Sequence, residues 1–239
     1  MLKSFFDNKK AIQVLCIEES LDDCALNGEE WRLVQDFVET LKVFYSATLF
    51  LQRRDTTVSY VIPIIKAIKH DLEVKQALGF GNESFIDALL TSLDERYTTS
   101  LSKRNLIIAT LLDPRFKLDF LDEHMTEVYK QWVVEDIVGK SEMVTPEVQI
   151  QYCEQDDLFS SYLKVNKLAP EPPGKSEQKH LVEAELIAYL HEPVISRDLT
   201  AGSYWKINSG RFPYLSKLYC KHATAPATSA EAERLFSIA

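Results

Sequence analysis

Residues 27–51 read NGEEWRLVQDFVETLKVFYSATLFL and form a strong helical pattern. The apolar side chains recur at spacings of three and four residues, at Trp31, Val34, Phe37, Val38, Leu41, Phe44, Tyr45 and Leu51. These positions lie on one wide face of a helix, and such a face needs a partner to cover it. The stretch therefore predicts a helix that packs against other helices.

The next segments continue the helical pattern. Asp55-Thr56-Thr57 interrupts it and predicts the cap of a second helix that begins near Val58, with Pro63 at its kink or its start. Gly79-Phe80-Gly81-Asn82 predicts a stop followed by a new start, and the apolar face of residues 83–101 predicts a third helix.

Asp113-Pro114 ends a further apolar run at residues 106–112. An aspartate before proline is a common helix opening, because the aspartate caps and the proline lacks only an N–H that the first turn does not use. We therefore predict a helix start at Asp113. The apolar residues from Met125 onward continue the helical pattern to Gly139, and Pro146 predicts the start of another helix.

The composition supports a helical fold class. The 239 residues are 46% hydrophobic and 26% charged, which is typical of a globular protein. They include only 7 glycines and 9 prolines, too few for the many turns of a β-sandwich or barrel. No apolar run is long enough for a membrane span. The sequence predicts a mainly α protein.

One segment predicts a boundary between domains. Residues 165–179 read VNKLAPEPPGKSEQK, a polar stretch with three prolines and one glycine, which is typical of an exposed linker. We therefore predict a helical domain over residues 1–164, a linker over 165–180 and a C-terminal region over 181–239. That last region is predicted to begin with a short helix over residues 181–190.

The charge distribution argues against a broad nucleic-acid-binding face. The formal net charge is −9, whereas phosphate binding needs a basic surface. The acidic residues are concentrated between Asp119 and Asp157, which we interpret as solvated helix faces and loops. The residues from Lys206 onward have a slight positive balance, so any contact with phosphate is expected there.

The cysteines and histidines give no sign of a metal site or a hydrolase. The four cysteines, at positions 16, 24, 153 and 220, include no CxxC pair, so a zinc signature is missing. Their scattered placement suits a reducing compartment, the nucleus or the cytoplasm. The five histidines have no serine or cysteine partner at a telling spacing, and no glycine-rich phosphate loop is present. We expect no metal or cofactor in this chain.

The text after residue 184 is the most specific. It contains Glu185-Leu-Ile-Ala-Tyr-Leu190, Tyr204-Trp205, Phe212-Pro-Tyr-Leu-Ser-Lys-Leu-Tyr219 and Pro226-Ala-Thr-Ser-Ala-Glu-Ala-Glu-Arg-Leu-Phe-Ser237. These elements resemble the C-terminal region of hAT-superfamily transposases and their domesticated relatives, including zinc finger BED-domain proteins. Leu112-Asp-Pro-Arg-Phe-Lys117 also resembles a landmark of the helical insertion domain in that family. Tyr204-Trp205 departs from the family's paired tryptophans.

The resemblance refines the expected fold class. It implies a mainly α chain in which a helical, insertion-type domain is followed by the last fragment of a split ribonuclease-H-like core. It also implies that a BED finger and two catalytic aspartates lie upstream of Met1. At the other end, the chain stops at Ala239, so the C-terminal dimerisation region is expected to be truncated.

The resemblance assigns Glu233 a family position. Transposases of this family use three carboxylates to hold two divalent metals such as Mg²⁺, and Glu233 stands at the position of the third. The residues alone favour a structural role, because Thr228 and Glu231 match a capping box and Glu233 would be another first-turn acid. Since one carboxylate cannot hold a metal pair, we expect no catalysis by this chain.

A dense apolar group in the tail predicts either an intrachain core or a surface for a partner subunit. Aromatic residues dominate both kinds of contact, so the residues alone leave the choice open. The family resemblance favours a dimer interface. The predicted positions are Trp205, Phe212, Pro213, Tyr214, Leu215, Leu218, Arg234, Leu235 and Phe236.

The favoured function is a protein dimerisation module, forming a homodimer, of a transposase-derived protein in the nucleus. One alternative is a fragment of an active hAT DNA transposase with three catalytic carboxylates. Another is a DNA- or chromatin-binding regulator that has lost its N-terminal zinc finger. Nucleic acid is expected to bind only through missing N-terminal parts, the membrane is not an expected partner, and the cytoplasm is the alternative location.

Overall fold

The structure, a computed structural model, describes residues 1–53, 55–139, 175–223 and 225–227. They fall into two compact units. The first contains Met1–Thr110 and the tail residues 225–227, and the second contains the described part of Leu111–Ala223. Every regular element within the described ranges is a helix, and none is a strand, which confirms the mainly α fold class. No described helix is both long and apolar enough to cross a membrane.

The first unit contains six α-helices. In chain order they are α1 Leu2–Asp7, α2 Lys9–Glu18, α3 Gly28–Leu51, α4 Val61–Ala77, α5 Glu83–Leu101 and α6 Arg104–Leu111, which ends at the boundary. Short 3₁₀ helices lie at Asp22–Cys24 and Val58–Tyr60.

Helix α3 begins where its capping residues predict. The side chain of Asn27 accepts from the backbone N–H of Glu30 at 2.9 Å, and the Glu30 carboxylate accepts from the backbone N–H of Asn27 at 2.7 Å. This reciprocal capping box satisfies two donors that have no partner inside the helix. The predicted long helix is thereby confirmed, and its start is set by local sequence.

The connections between α3, α4 and α5 follow the predicted punctuation. Pro63 is the third residue of α4, so it lies in the first turn, where proline is tolerated. Gly81 joins α4 to α5 with φ +85°, and a Cβ there would lie 3.1 Å from the hydroxyl of Thr40. The predicted stop at Gly79-Phe80-Gly81-Asn82 is therefore confirmed by a turn that favours glycine.

The core of the first unit lies among α3, α4 and α5. Ile68 and Leu72 from α4 pack with Ile86 and Leu93 from α5, and α3 adds the partly buried Val43, Phe44 and Ala47. Leu72 and Ile86 have no exposed surface. Of the stripe predicted on α3, Phe44 packs in this core, whereas Tyr45 is 66% exposed.

The second unit contains four further α-helices. They are α7 Thr126–Val138, α8 Lys175–His191, α9 Ala201–Asn208 and α10 Pro213–His222, and a 3₁₀ helix at Glu123–Met125 precedes α7. Helix α8 packs against α7 and α10, and α9 packs against α10. The imidazole of His222 on α10 lies 2.7 Å from the carboxylate of Asp136 on α7.

The prediction that Asp113-Pro114 opens a helix is wrong. Residues 114–120 form turns, and the next helical residues are Glu123–Met125. The Asp113 carboxylate is held by Arg115 instead of capping a helix, and Lys117 adopts a left-handed φ of +48° that breaks helical geometry. The local capping signal is overridden by a buried ion pair.

The predicted short helix over residues 181–190 is longer in the structure. Helix α8 begins at Lys175, so residues 175–180 of the predicted linker are helical. Residues 140–174, which hold the rest of the predicted linker and the predicted start at Pro146, lie outside the described residues. The domain boundary proposed from the linker therefore stays a prediction, whereas the packing of the described residues divides the chain at Leu111.

Candidate functional site

The apolar residues predicted for a dimer or core surface lie mostly inside the second unit. Trp205, Phe212, Leu215 and Leu218 are buried, with exposed fractions of 4% or less. Pro213 and Tyr214 are half-buried. The four buried residues therefore contribute to an intrachain core. Arg234, Leu235, Phe236 and the family carboxylate Glu233 lie outside the described residues.

Trp205 is the centre of an aromatic cluster. Its ring stacks on Tyr219 with a centroid distance of 5.6 Å, and its centroid lies 5.1 Å from that of Tyr189. Phe212 meets both Trp205 and Tyr189 edge to face at centroid distances of 6.4 and 6.2 Å. The cluster joins α8, α9 and α10 through large buried side chains, which supply the greatest packing area per residue.

The turn at residues 112–117 is built into this cluster. The hydroxyl of Tyr189 donates to the carbonyl of Leu111 at 3.1 Å, and the indole N–H of Trp205 donates to the carbonyl of Leu112 at 2.8 Å. The backbone N–H of Ile195 donates to the carbonyl of Pro114 at 3.0 Å. The first two of these bonds join residues that are 78 and 93 positions apart. The turn and the C-terminal helices therefore form one hydrogen-bonded core.

Lys117 caps the carboxyl end of α8. Its ammonium donates to the carbonyls of Tyr189 and Glu192 at 2.6 and 2.5 Å and lies 4.6 Å from the centroid of the Tyr189 ring. A cation at this end of a helix satisfies carbonyls that have no partner within the helix. Burial lowers the pKa of Lys117, and the negative charges of Glu192 and Asp119 act in the opposite direction.

Asp113 and Arg115 form a buried ion pair beside that lysine. The Arg115 guanidinium donates to both carboxylate oxygens of Asp113, at 2.8 Å from Nε and 2.6 Å from Nη2. The backbone N–H of Arg115 adds a third bond at 3.1 Å. The side chains of Asp113 and Arg115 are 0% and 5% exposed, so the two opposite charges are buried together. The pair fixes the turn whose carbonyls receive Tyr189 and Trp205.

Glu185 joins α8 to the start of α10. Its carboxylate accepts from the backbone N–H groups of Tyr214 and Leu215 at 3.1 and 3.2 Å. Burial raises the pKa of Glu185 to about 7, and the two backbone donors oppose that rise. Glu185 thus acts as an N-terminal cap supplied by another helix, because Phe212, the residue before α10, gives no side-chain cap.

Glu192 organises the other end of the cluster. Its carboxylate accepts from the hydroxyl of Tyr204 at 2.5 Å and pairs with the guanidinium of Arg211. Burial raises the pKa of Tyr204, and the hydrogen bond and negative charge of Glu192 add to the rise. Burial also raises the pKa of Tyr189 well above its ordinary value, with the charge of Asp113 as the next cause.

The acids of the cluster therefore serve packing. Asp113, Glu185 and Glu192 each accept from donors of the protein itself. In the described ranges, no three His, Cys, Asp or Glu side chains come together as a metal site would require.

Five large apolar residues among the described part of the C-terminal region are exposed. Their exposed fractions are 45% for Leu181, 53% for Ile187, 47% for Val194, 55% for Leu199 and 81% for Ile207. On α8, Ile187 points away from the buried Val182, Leu186 and Tyr189, as the helical spacing requires. These positions are the surface that a partner could cover.

Sequence reasoning missed the polar framework. Glu185, Asp113, Arg115 and Lys117 stand in the motifs that carry the resemblance, but the motifs do not predict which groups these side chains contact. The available signal was the position of charged residues directly beside apolar runs, which favours buried and paired charges. The exposure of Ile187 could not be predicted, because the apolar residues of α8 are spread over two faces of the helix.

The start of the Pro226–Ser237 motif is anchored in the first unit. The backbone N–H of Val58 donates to the carbonyl of Ala225 at 2.8 Å, and that of Ala227 donates to the carbonyl of Thr56 at 3.2 Å. Thr57 and Pro226 thereby form an isolated antiparallel bridge. The loop between α3 and α4, which the sequence marks as a helix break, thus forms backbone hydrogen bonds with the first residues of the motif and with Ala225 before it.

Residues 185–239 match the model of the hAT family C-terminal dimerisation region. Over 99% of its length the chain is 25% identical to "Zinc finger BED domain-containing protein 4" of Homo sapiens, of which the match covers 20%. Over 91% it is 24% identical to "Zinc finger BED domain-containing protein RICESLEEPER 2" of Oryza sativa subsp. japonica, of which the match covers 34%.

A third relative extends the same pattern. Over 89% of its length the chain is 25% identical to "Zinc finger BED domain-containing protein 6" of Mus musculus, of which the match covers 25%. The chain spans between a fifth and a third of the length of these relatives. The resemblance seen in the sequence is confirmed: the tail matches a hAT dimerisation region, and most of the chain is similar to zinc finger BED domain-containing proteins.

Proposed function

From this relationship we propose that the chain is a self-association module of a transposase-derived protein and forms a homodimer through its C-terminal region. The observation that carries the proposal is the match of residues 185–239 to a dimerisation region. The second unit has a buried core that can present such a surface. Because Trp205 and Phe212 are buried inside that core, the residues proposed to contact the second copy are the exposed apolar ones.

Ile187 on α8 and Ile207 on α9 are the proposed helical contacts with the second copy. They lie within the matched range and expose 53% and 81% of their surface. Covering such side chains removes apolar area from water at about 25 cal/mol per Å². A charged side chain at the same place stays solvated in the monomer and opposes its burial in the dimer.

The experiment is the molar mass of the full chain by sedimentation equilibrium from micromolar to millimolar concentration. The wild type is expected to dimerise, and Ile187→Glu or Ile207→Glu is expected to weaken dimerisation at least about tenfold. Val14→Glu is the matched control, because Val14 is also 53% exposed but lies on α2 of the first unit. A wild-type monomer throughout the range would overturn the proposal, and an equal effect of Val14→Glu would overturn the assigned surface.

The same proposal includes a chain without catalysis of its own. The support is that the family resemblance places one carboxylate, Glu233, in this sequence, whereas two metals need several. The C-terminal region is proposed to be the last fragment of a split ribonuclease-H-like core, supported by the family match. Metal-dependent cleavage of terminal-repeat DNA by this chain, abolished in Glu233→Ala, would overturn the proposal of no catalysis.

The nucleus is the proposed location. The support is the similarity over most of the chain to zinc finger BED domain-containing proteins. A fusion of the chain to a fluorescent protein in cultured cells, imaged with a nuclear marker, tests it. A fusion confined to the cytoplasm would contradict it.

A further inference from the structure

A cleft in the first unit combines an aromatic ring with basic side chains. Its volume is about 590 Å³, and it is lined by Val61 of α4, Tyr97 of α5 and four consecutive residues at the start of α6, Lys103 to Leu106. Clefts that hold small ligands have volumes of about 300–1,000 Å³. The space is therefore large enough for a ligand.

The ring of Tyr97 is available for stacking. Its residue is 37% exposed and lies in the last turns of α5. Val61 and Leu106 provide apolar surface in the same cleft. An exposed aromatic face next to apolar side chains fits a flat heterocycle, because every nucleobase has a π face that stacks on tyrosine.

Lys103 supplies a positive charge beside that ring. The residue is exposed and lines the cleft. Arg104 and the polar residue Asn105 also line the wall. One turn before Tyr97 on α5 lies Asp94, whose charge is already paired with Lys69.

We propose that this cleft binds a nucleoside phosphate, with the base on Tyr97 and the phosphate at Lys103. The source is a free mononucleotide or an unpaired nucleotide of a single strand. The site is local, in a chain whose net charge is −9, so background binding of phosphate to the rest of the surface is small. It is independent of the proposed dimer surface, whose contact residues belong to the second unit.

The test titrates the full chain with thymidine monophosphate, with inorganic phosphate and with a fluorescein-labelled oligothymidine, by calorimetry and fluorescence anisotropy. Thymidine monophosphate is expected to bind more tightly than phosphate, and to displace the oligonucleotide if both occupy the cleft. Binding of the mononucleotide alone assigns the free nucleotide as source, and tighter binding of the oligonucleotide assigns the strand. No binding, or equal binding of phosphate and nucleotide, overturns the proposal.

Matched variants assign the binding to the cleft. Tyr97→Leu is expected to weaken nucleotide binding about tenfold, whereas Tyr97→Phe retains the stacking ring and the affinity. Tyr45→Leu is the control, because Tyr45 is 66% exposed on α3, away from the cleft lining. Loss of affinity in both Tyr97→Phe and Tyr97→Leu contradicts a stacking role.

Lys103→Gln is expected to weaken binding at least about threefold and to reduce its dependence on salt. Lys10→Gln makes the same change of charge at an exposed position on α2 and is expected to leave binding unchanged. An equal loss in the two lysine variants means that only the net charge matters and overturns the site. Circular dichroism of each variant establishes that the helices are intact.

Discussion

The two units use different means to hold their helices together. The first unit buries aliphatic side chains of α4 and α5, such as Leu72 and Ile86, under the face of α3. The second unit buries an aromatic cluster together with the Asp113–Arg115 ion pair and the ammonium of Lys117. An aliphatic core depends on volume and pattern, whereas a polar core depends on each donor meeting its acceptor.

Because of this difference, a substitution destabilises the two units in different ways. Removing a methyl group from an aliphatic core leaves a cavity that neighbours can partly fill. Removing one partner from a buried polar pair leaves a charge or a carbonyl without its bond, and packing cannot repair that loss. The second unit is therefore expected to be the more sensitive to conservative changes.

The largest expected effect is that of Asp113→Ala. It leaves the guanidinium of Arg115, which is 5% exposed, without its carboxylate, and we expect a loss of about 3–5 kcal/mol in the free energy of unfolding. Urea unfolding followed by near-ultraviolet circular dichroism measures it. Asp94→Ala is the control, because the Lys69–Asp94 pair is exposed and is expected to contribute less than about 1 kcal/mol. Equal losses in the two variants would contradict the comparison.

Leu72→Ala tests the aliphatic core of the first unit. Leu72 has no exposed surface, so its truncation is expected to cost about 2–5 kcal/mol, the spread depending on how far the neighbours relax. Urea unfolding followed by far-ultraviolet circular dichroism measures the change. Leu78→Ala, at a residue that is 75% exposed just after the same helix, is expected to change stability by less than about 0.5 kcal/mol. A small effect at Leu72 would show that α4 is not central to this core.

Tyr189→Phe isolates one hydrogen bond of the second unit. The ring stays in place, but the carbonyl of Leu111 loses the hydroxyl that lies 3.1 Å away, and we expect a loss of about 1–3 kcal/mol. Thermal unfolding measures it, with Tyr45→Phe as the control at a residue that is 66% exposed. If the two variants unfold alike, the contact between Tyr189 and the turn contributes nothing to stability.

Glu185→Gln is expected to have the smallest effect, and to show it as a change in pH dependence. Burial raises the pKa of Glu185 to about 7 in the folded chain, from an ordinary 4.5, so the folded chain binds this proton more tightly than the unfolded chain. The protonated Glu185 therefore contributes to the free energy of unfolding. This contribution is full below pH 4.5 and is lost as the pH rises through about 7.

The glutamine is neutral at every pH and retains an oxygen for one backbone donor. We therefore expect the variant to lose less stability than the wild type between about pH 5 and about pH 8, by on the order of 1 kcal/mol after allowance for solvent screening. Unfolding in urea across that range measures it. Glu177→Gln, at an exposed position in the first turn of the same helix, is the control. Parallel pH profiles for the wild type and Glu185→Gln would contradict the assignment.

Helix positions in the first unit could be predicted because their signals are local. The capping box at Asn27 and Glu30, the first-turn position of Pro63 and the left-handed turn at Gly81 each act within a few residues. Ile68 and Leu72 of α4 lie in the core for the same reason, since helical spacing brings them to one side of the helix.

The sequence singled out the apolar residues of the tail but not their arrangement. Trp205, Phe212, Leu215 and Leu218 stand out in the sequence, yet nothing local distinguishes a residue buried in its own chain from one buried against a partner. The structure places them inside. The exposed Ile187 and Ile207 could not be selected from the sequence, because exposure depends on which other helices cover a face.

The sequence by itself determined the helical class, the start of α3 and the turns around α4, because caps, prolines and glycines act on the backbone within one or two turns. It also determined the similarity of the tail to a dimerisation region. Only the tertiary structure decided that Asp113 pairs with Arg115 instead of starting a helix, that Lys117 closes α8 and that Glu185 caps α10. Those bonds join residues from separate elements or depend on burial, and their free energy exists only when water has been excluded from both partners.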